Sequence, residues 1–294
     1  MQRSLPRRRQ NIASWGEQMN TFFIRWPGFR KKALTLSYDD GVVQDKRLAQ
    51  IMDQHGIKGT FNLDGSRYSE NPKPILKRAS LNRAEALALY NTPSREVALH
   101  SYTHPFLEQL PGGNAAYEVI KDREALEEMF GCIVRGMAYP MGSYDDDLVQ
   151  TLRQCGVAYA RTIKSTFGFD LPADWLRWHP TCHHRSAKMP ELRDKFLEAQ
   201  IAHRPSQLFY LWGHSYEFDE DDNWNLIEEF CEKMGGRDDI WYATNMDIYE
   251  YLTAAQSIVA SADGRRLYNP TAMTLYLETE TEQILLQPGE TKLI

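Results

Sequence analysis

Two adjacent carboxylates and a glycine, Asp39-Asp40-Gly41, close a short run with β character, Ala33 to Tyr38. On a strand, neighbouring side chains point to opposite faces. The turn that Gly41 permits lets both carboxylates lean toward one place from different directions. Two like charges that close need a cation or a proton between them. The plainer alternative makes Asp40 the cap of a helix starting near Val42. A second cluster, His100-Ser101-Tyr102-Thr103-His104, spaces two imidazoles so that a helical turn would put them on one face, which suits a metal. A third histidine, His214, follows Leu211-Trp212-Gly213. Two histidines with one aspartate make an open site for a divalent ion, with positions left for water and substrate.

These segments need elements to hold them. Strand patterns fall at 33–38, 58–63, 95–100, 133–138, 157–161, 207–212 and 240–243, and helical patterns at 43–55, 82–91, 114–130, 145–155, 188–203, 223–234 and 245–259. Seven alternating units imply parallel strands with crossover helices. Eight would make the usual closed barrel, so seven predict an α/β fold built on a distorted, incomplete (β/α)7 barrel. In such folds the site forms at the C-terminal strand ends. Asp39-Asp40, the 100–104 cluster and His214 all follow strand patterns. Residues 1–30 read as a partly disordered N-terminal extension, with 1–18 the least structured. Residues 31–260 read as the barrel domain and 261–294 as a small C-terminal β appendage. The segment 164–186 reads as a long loop, and Asn71-Pro72-Lys73-Pro74 as a link.

The 294 residues, 42% apolar and 25% charged, can bury a full core, and the net charge of −6 argues against a nucleic-acid partner. Cys132, Cys155, Cys182 and Cys231 stand far apart without a Cys-x-x-Cys pair, which fits a reducing compartment. Arg3, Arg7, Arg8 and Arg9 lead into polar residues rather than an apolar signal segment, and no run is long enough to span a bilayer. The expectation is a cytoplasmic protein with no membrane partner.

With these motifs in order, the sequence resembles the NodB-like polysaccharide deacetylases, carbohydrate esterase family 4, over roughly residues 30–250. Ser37-Tyr38-Asp39-Asp40-Gly41 stands for the family's Thr-Phe-Asp-Asp-Gly, and residues 100–104 match its His-Ser/Thr-x-x-His in full. Ala138-Tyr139-Pro140-Met141-Gly142, Asp174-Trp175 and Trp212-Gly213-His214 stand for the remaining motifs. The resemblance implies that Asp40, His100 and His104 hold a divalent metal. Zinc is the first expectation and cobalt, nickel or manganese the alternatives. It implies Asp39 as general base, His214 as general acid, the Tyr139 N–H as an oxyanion donor and Asp174 as the group that orients and tunes His214. Base and acid set by different partners would divide the work of amide cleavage.

The chain departs from the family pattern twice. Ala138 replaces an arginine that braces the base, and Arg161 is the expected substitute. Trp212 replaces a leucine that lines the acyl pocket. The aromatics Tyr139, Trp175, Trp178, Trp212, Tyr216 and Trp224 fall in segments near the expected site. Of these, Trp175, Trp212 and Tyr139 are the candidates for contact with a sugar face, against the plainer role of core packing. His183 and His184 read as loop residues or as support behind the ligands rather than as ligands themselves, and Glu217 to Asp222 as a solvated helix entry. The expected activity is metal-dependent removal of an acyl group, acetyl first, from an N-acylated amino sugar or saccharide. The alternatives are hydrolysis of another linear or cyclic amide, and a silent sugar-binding relative.

Overall fold

The computed structural model describes residues 22–69, 78–202 and 204–294. The chain opens with β1 (Phe23–Arg25) and β2 (Lys32–Asp39), then α1 (Asp45–Gln54), β3 (Gly59–Leu63), α2 (Arg83–Tyr90) and β4 (Arg95–Leu99). It continues through α3 (Gly112–Phe130), β5 (Gly136–Ala138), α4 (Asp146–Gln154) and β6 (Tyr159–Arg161). Next come β7 (Cys182–His183), α5 (Met189–Glu198), β8 (Gln207–Gly213), α6 (Glu217–Glu220), α7 (Asn225–Met234), β9 (Ile240–Tyr242) and α8 (Asn245–Gln256). Five short strands finish it: β10 (Val259–Ala260), β11 (Arg266–Tyr268), β12 (Leu275–Glu278), β13 (Gln283–Leu286) and β14 (Thr291–Leu293). No helix among the described residues is long and apolar enough to cross a membrane.

Strand β2 is buried along all eight residues, as expected of a strand covered on both faces. β8 pairs with it in parallel from Lys32 to Tyr38. β9 pairs with Lys32–Leu34 and β3 with Leu36–Asp39, so these two share the opposite edge. The sheet runs β6-β5-β4-β3-β2-β8-β7 and curls into an incomplete α/β barrel. One segment approaches both edges: Trp178 bridges Arg161 of β6, while Cys182 and His183 pair with Leu211 and Trp212 of β8. β7 lies inside the stretch expected to be loop. Two residues carry no period, so its pairing was not readable from pattern.

Alternation sorts the two faces. Leu34, Leu36 and Tyr38 face the apolar layer under the helices, with Phe61, Leu63, Val97 and Leu99. Thr35, Ser37 and Asp39 face the barrel interior, which is polar: Thr35 Oγ1 donates to Asn245 Oδ1 at 2.9 Å, and Asn245 Nδ2 donates to Tyr210 Oη at 2.6 Å. Below that column Trp26, Tyr159, Trp178, Ile248, Tyr251, Leu275 and Leu277 form a second apolar cluster.

The domain boundaries shift accordingly. Residues 22–30 are not a loose extension, because β1 pairs with β12. The tail forms two antiparallel sheets, β1-β12-β13 and β10-β11-β14, and its Leu275, Leu277, Ile284 and Leu286 belong to the second cluster. The disorder expected for 1–18 and the 71–74 link lie outside the described residues. The strand expected at 133–138 starts only at Gly136, since Ile133 is 77% exposed. The helix expected at 188–203 ends at Glu198.

Glu96 of β4 accepts from Tyr159 Oη at 2.6 Å, Thr60 Oγ1 at 2.9 Å and the Met246 N–H at 2.8 Å. Burial nonetheless pushes it up to about 7. The fold therefore holds the Glu96 proton more tightly than the unfolded chain does. Its contribution is present at low pH and is lost as pH climbs from the ordinary carboxylate range toward about 7. The expected result is that the thermal midpoint of Glu96→Gln falls less than that of the wild type between about pH 5 and about pH 8. Equal falls would show that Glu96 does not titrate in that window.

Candidate active site

The end of β2 sets the site. Asp39 points into the interior, where Arg161 Nη2 donates to Oδ1 at 2.7 Å and to Oδ2 at 2.5 Å. Asn62 Nδ2 adds a bond to Oδ1 at 2.8 Å. Arg161 is 1% exposed, and its guanidinium lies 4.3 Å from the centre of the Trp212 ring, within cation–π range. Burial alone would raise the Asp39 carboxyl. Arg161, with His100 and His214, outweighs it and holds the group below the ordinary carboxylate range, so Asp39 is a charged acceptor. Arg161 thus stands where the expected charge substitute would act.

Asp40 leaves the strand with φ 83°, and its N–H donates to the Asn62 carbonyl at 3.0 Å. Gly41 follows with φ 63°, and a Cβ there would lie 2.5 Å from Tyr68 Oη. Asp40 Oδ1 is buried without a hydrogen-bond partner. Around it stand His104 Nε2 at 3.7 Å, His100 Nε2 at 4.0 Å and Arg67 Nη2 at 3.7 Å. Burial pushes His100 down to about 4, so the ring is neutral. Its Nδ1 lies 2.9 Å from the Ala138 carbonyl, which can only accept, so Nδ1 carries the proton and Nε2 offers a lone pair. His104 is likewise lowered by burial. An orphaned carboxylate oxygen facing two neutral imidazoles fits a divalent cation.

The two imidazoles do not share a helical turn. Residues 100–104 form an irregular loop with Ser101 at φ 65° and His104 at φ 58°, and the rings meet edge-on, 4.8 Å apart. The spacing found the pair, but the geometry behind it was wrong. Asp122 anchors the loop, accepting the His100 N–H at 3.0 Å and the Gly65 N–H at 2.6 Å.

Across the site, His214 Nε2 lies 3.7 Å from Asp39 Oδ2. Burial works against charging this ring, but the Glu217 carboxylate, Asp39 and Asp40 together raise it above the ordinary imidazole value. Glu217 is 6% exposed; it contacts His183 Nε2 at 3.2 Å, His184 Nε2 at 3.1 Å and Arg185 Nη1 at 2.7 Å. Against the upward push of burial, the three histidines hold it far below the ordinary carboxylate range. His184 comes so close to β8 that a Cβ on Gly213 would sit 2.1 Å from its Nδ1.

Five expectations are corrected by these positions. Asp174 caps a short turn through the Leu176 N–H at 3.0 Å and pairs with Arg177 at 2.6 Å; Glu217 is the carboxylate at His214. Glu217 is therefore no solvated helix entry, and its position three residues after His214 was the available signal. The Tyr139 N–H is committed to the Arg161 carbonyl at 3.1 Å, and its buried ring donates Oη to the Leu176 carbonyl at 2.7 Å. Neither the N–H nor the ring is offered to a substrate. Trp175 packs edge-on against Trp178 and Tyr249 in the second cluster. Trp212 and Tyr216 do reach the site, with ring centres 5.9 Å and 5.1 Å from that of His214. Asn62, Arg67 and Glu217 were missed as site residues, and His183 and His184 stand beside Glu217 in the supporting place that was one of their two readings.

A model of the polysaccharide deacetylase family matches residues 27–160. A solved Mycobacterium smegmatis protein described as a polysaccharide deacetylase shares 20% identity, covering 79% of this chain and 94% of its own, with a TM-score of 0.56. A family 4 carbohydrate esterase from Streptomyces lividans, solved with acetate, shares 17% identity over 73% of this chain and 93% of its own, with a TM-score of 0.46. A family 4 pseudoenzyme from Bacillus anthracis shares 18% identity over 77% and 68%, with a TM-score of 0.47. No curated relative matches the chain.

Removing one member of the Asp39–Arg161 pair strands the other in a dry site. Arg161→Met is expected to cost roughly 3–5 kcal/mol in denaturant unfolding. Adding Asp39→Asn should restore a large part of that loss, and simple additivity of the two changes would show that the pair is not coupled.

Proposed function

We propose that this chain, whose residues 27–160 match the polysaccharide deacetylase family model, is a metal-dependent amide hydrolase that removes an acyl group, acetyl first, from an N-acylated amino sugar or saccharide. One observation carries the reading: an orphaned carboxylate oxygen on Asp40 faces His100 and His104, with charged Asp39 beside it and His214 opposite. Asp40, His100 and His104 would hold the cation, zinc in the first instance. When bound, such an ion acidifies water and polarises a carbonyl.

The chain's own residues do the rest. Asp39, kept charged by Arg161, takes a proton from the attacking water. His214, kept protonated by Glu217, gives a proton to the departing nitrogen, which leaves poorly as an anion. Trp212 covers Arg161 and stands beside His214 where a smaller side chain would leave more room, so short acyl groups fit this reading best. The four cysteines are free, which agrees with a reducing compartment; we take that compartment, and a saccharide met there, as part of the proposal.

Metal-stripped protein reloaded with zinc, cobalt, nickel or manganese is to be assayed on N-acetylated chitooligosaccharides and on simple linear and cyclic amides. Acetate release that stops on chelation and returns with metal is expected from the saccharides. Turnover of the simple amides alone would move the activity to another amide class, and no turnover with any metal would leave a silent binding protein. Asp39→Asn and His214→Ala should each lower kcat about 10²–10⁴-fold. Glu217→Gln should lower kcat with KM little changed, while Asp174→Ala leaves both near wild type. The reverse pattern would return the tuning role to Asp174.

A further inference from the structure

Glu217 Oε2 is approached by more nitrogens than it can serve. His184 Nε2 lies 3.1 Å away, His183 Nε2 3.2 Å, His214 Nδ1 3.4 Å and the His214 backbone N–H 3.1 Å. A carboxylate oxygen has two lone pairs, so at most two of the four can make good hydrogen bonds. The His214 backbone N–H takes one of them; His184 Nε2, though near, is buried without a hydrogen-bond partner. Arg185 Nη1 occupies the other oxygen, Oε1, at 2.7 Å.

The two remaining nitrogens stand at 3.2 and 3.4 Å, longer than the about 2.7–2.9 Å of a charge-assisted N–H···O bond. Those separations match the edge of a tetrahedron around zinc, about 3.3–3.4 Å for ligand distances of about 2.0–2.1 Å. His214 Nδ1 is buried without a hydrogen-bond partner. The three atoms His183 Nε2, His214 Nδ1 and Glu217 Oε2 all lie within 4.8 Å of one another.

We infer that His183, His214 and Glu217 form a second site for a divalent transition-metal ion, sharing no ligand with Asp40, His100 and His104. The donor set, two imidazoles and one carboxylate oxygen, selects zinc-class ions over magnesium or calcium. β7 and β8 supply the two histidines from paired strand ends, and α6 supplies the carboxylate. Occupancy places a cation on Nδ1 of the ring that faces Asp39 through Nε2. That ring cannot then be an imidazolium: it would keep a single N–H, on Nε2, which is too weak an acid to protonate a departing nitrogen. The inhibitory consequence rests on the function proposed above, whereas the binding site does not.

Metal-stripped full-length protein is to be titrated with zinc alone by calorimetry, alongside His183→Phe, which keeps a ring beside Trp212 but removes the ligand nitrogen. Two equivalents for wild type and one for the variant are expected. One equivalent in both, or two in both, overturns the site. His183→Gln, checked by circular dichroism, gives the same count should the phenylalanine variant misfold. In turnover assays, zinc beyond the first equivalent should suppress wild-type acetate release at least about tenfold and spare His183→Phe. Suppression that is equal in both variants also overturns the proposal. A two-to-one pattern in a protein that releases no acetate would keep the second site and remove the hydrolase reading.

Discussion

An ion pair kept dry at the end of the central strand is the constraint from which the site follows. Asp39 and Arg161 are 2% and 1% exposed, and neither charge could stay there alone, since an uncompensated buried ion costs several kcal/mol. The partner comes from β6, four places along the sheet from β2, so the sheet must curl for the two to meet. Asn62 fixes the carboxylate from the neighbouring strand, and the Trp212 ring covers the guanidinium from the other side. One electrostatic requirement thereby ties β2, β3, β6 and β8 at the same end of the barrel.

Around that pair the backbone departs from its relaxed conformations where the chemistry gathers. Asp40, Ser101 and His104 all have positive φ, a region that non-glycine residues enter at a cost. The surroundings over-determine them: Asp40 is held by the Asn62 carbonyl, and the histidine loop by Asp122. The polar groups are also divided by environment. Burial keeps His100 neutral and fit to donate a lone pair, while the carboxylates around His214 favour its charged form. Identical side chains thus acquire opposite capacities a few ångströms apart.

Much of this was legible in the chain. Strand endings marked by Asp39-Asp40, His100 and His214 are local signals, and the alternation that made the strands also decided which carboxylate faced the interior. The Ala138 substitution pointed to Arg161 because a buried base needs a counter-charge from somewhere. What the sequence hid depends on contacts between distant segments. Asp174-Trp175 has the right residue types, yet its carboxylate is consumed by a local turn and Arg177. Glu217 sits in an acidic run whose other members are solvated, and only the fold shows which one points inward. The Tyr139 N–H could not be known to be occupied without the register between β5 and β6. Strands as short as β1 and β7 have no period to read; their partners alone define them.

Consider, finally, the pairing of β1 with β12. Arg25 meets Glu278 across 253 positions of chain, and Trp26 is packed among residues from both halves. During synthesis β1 is made long before its partner β12. The barrel floor therefore stays uncovered until β12 is made, with Trp26 and Tyr251 without their final neighbours until then. Pairings between such distant positions form slowly, because loop closure must precede their reward. β12 acts as a clasp on β1, which couples completion of the end that carries the site to events at the opposite pole.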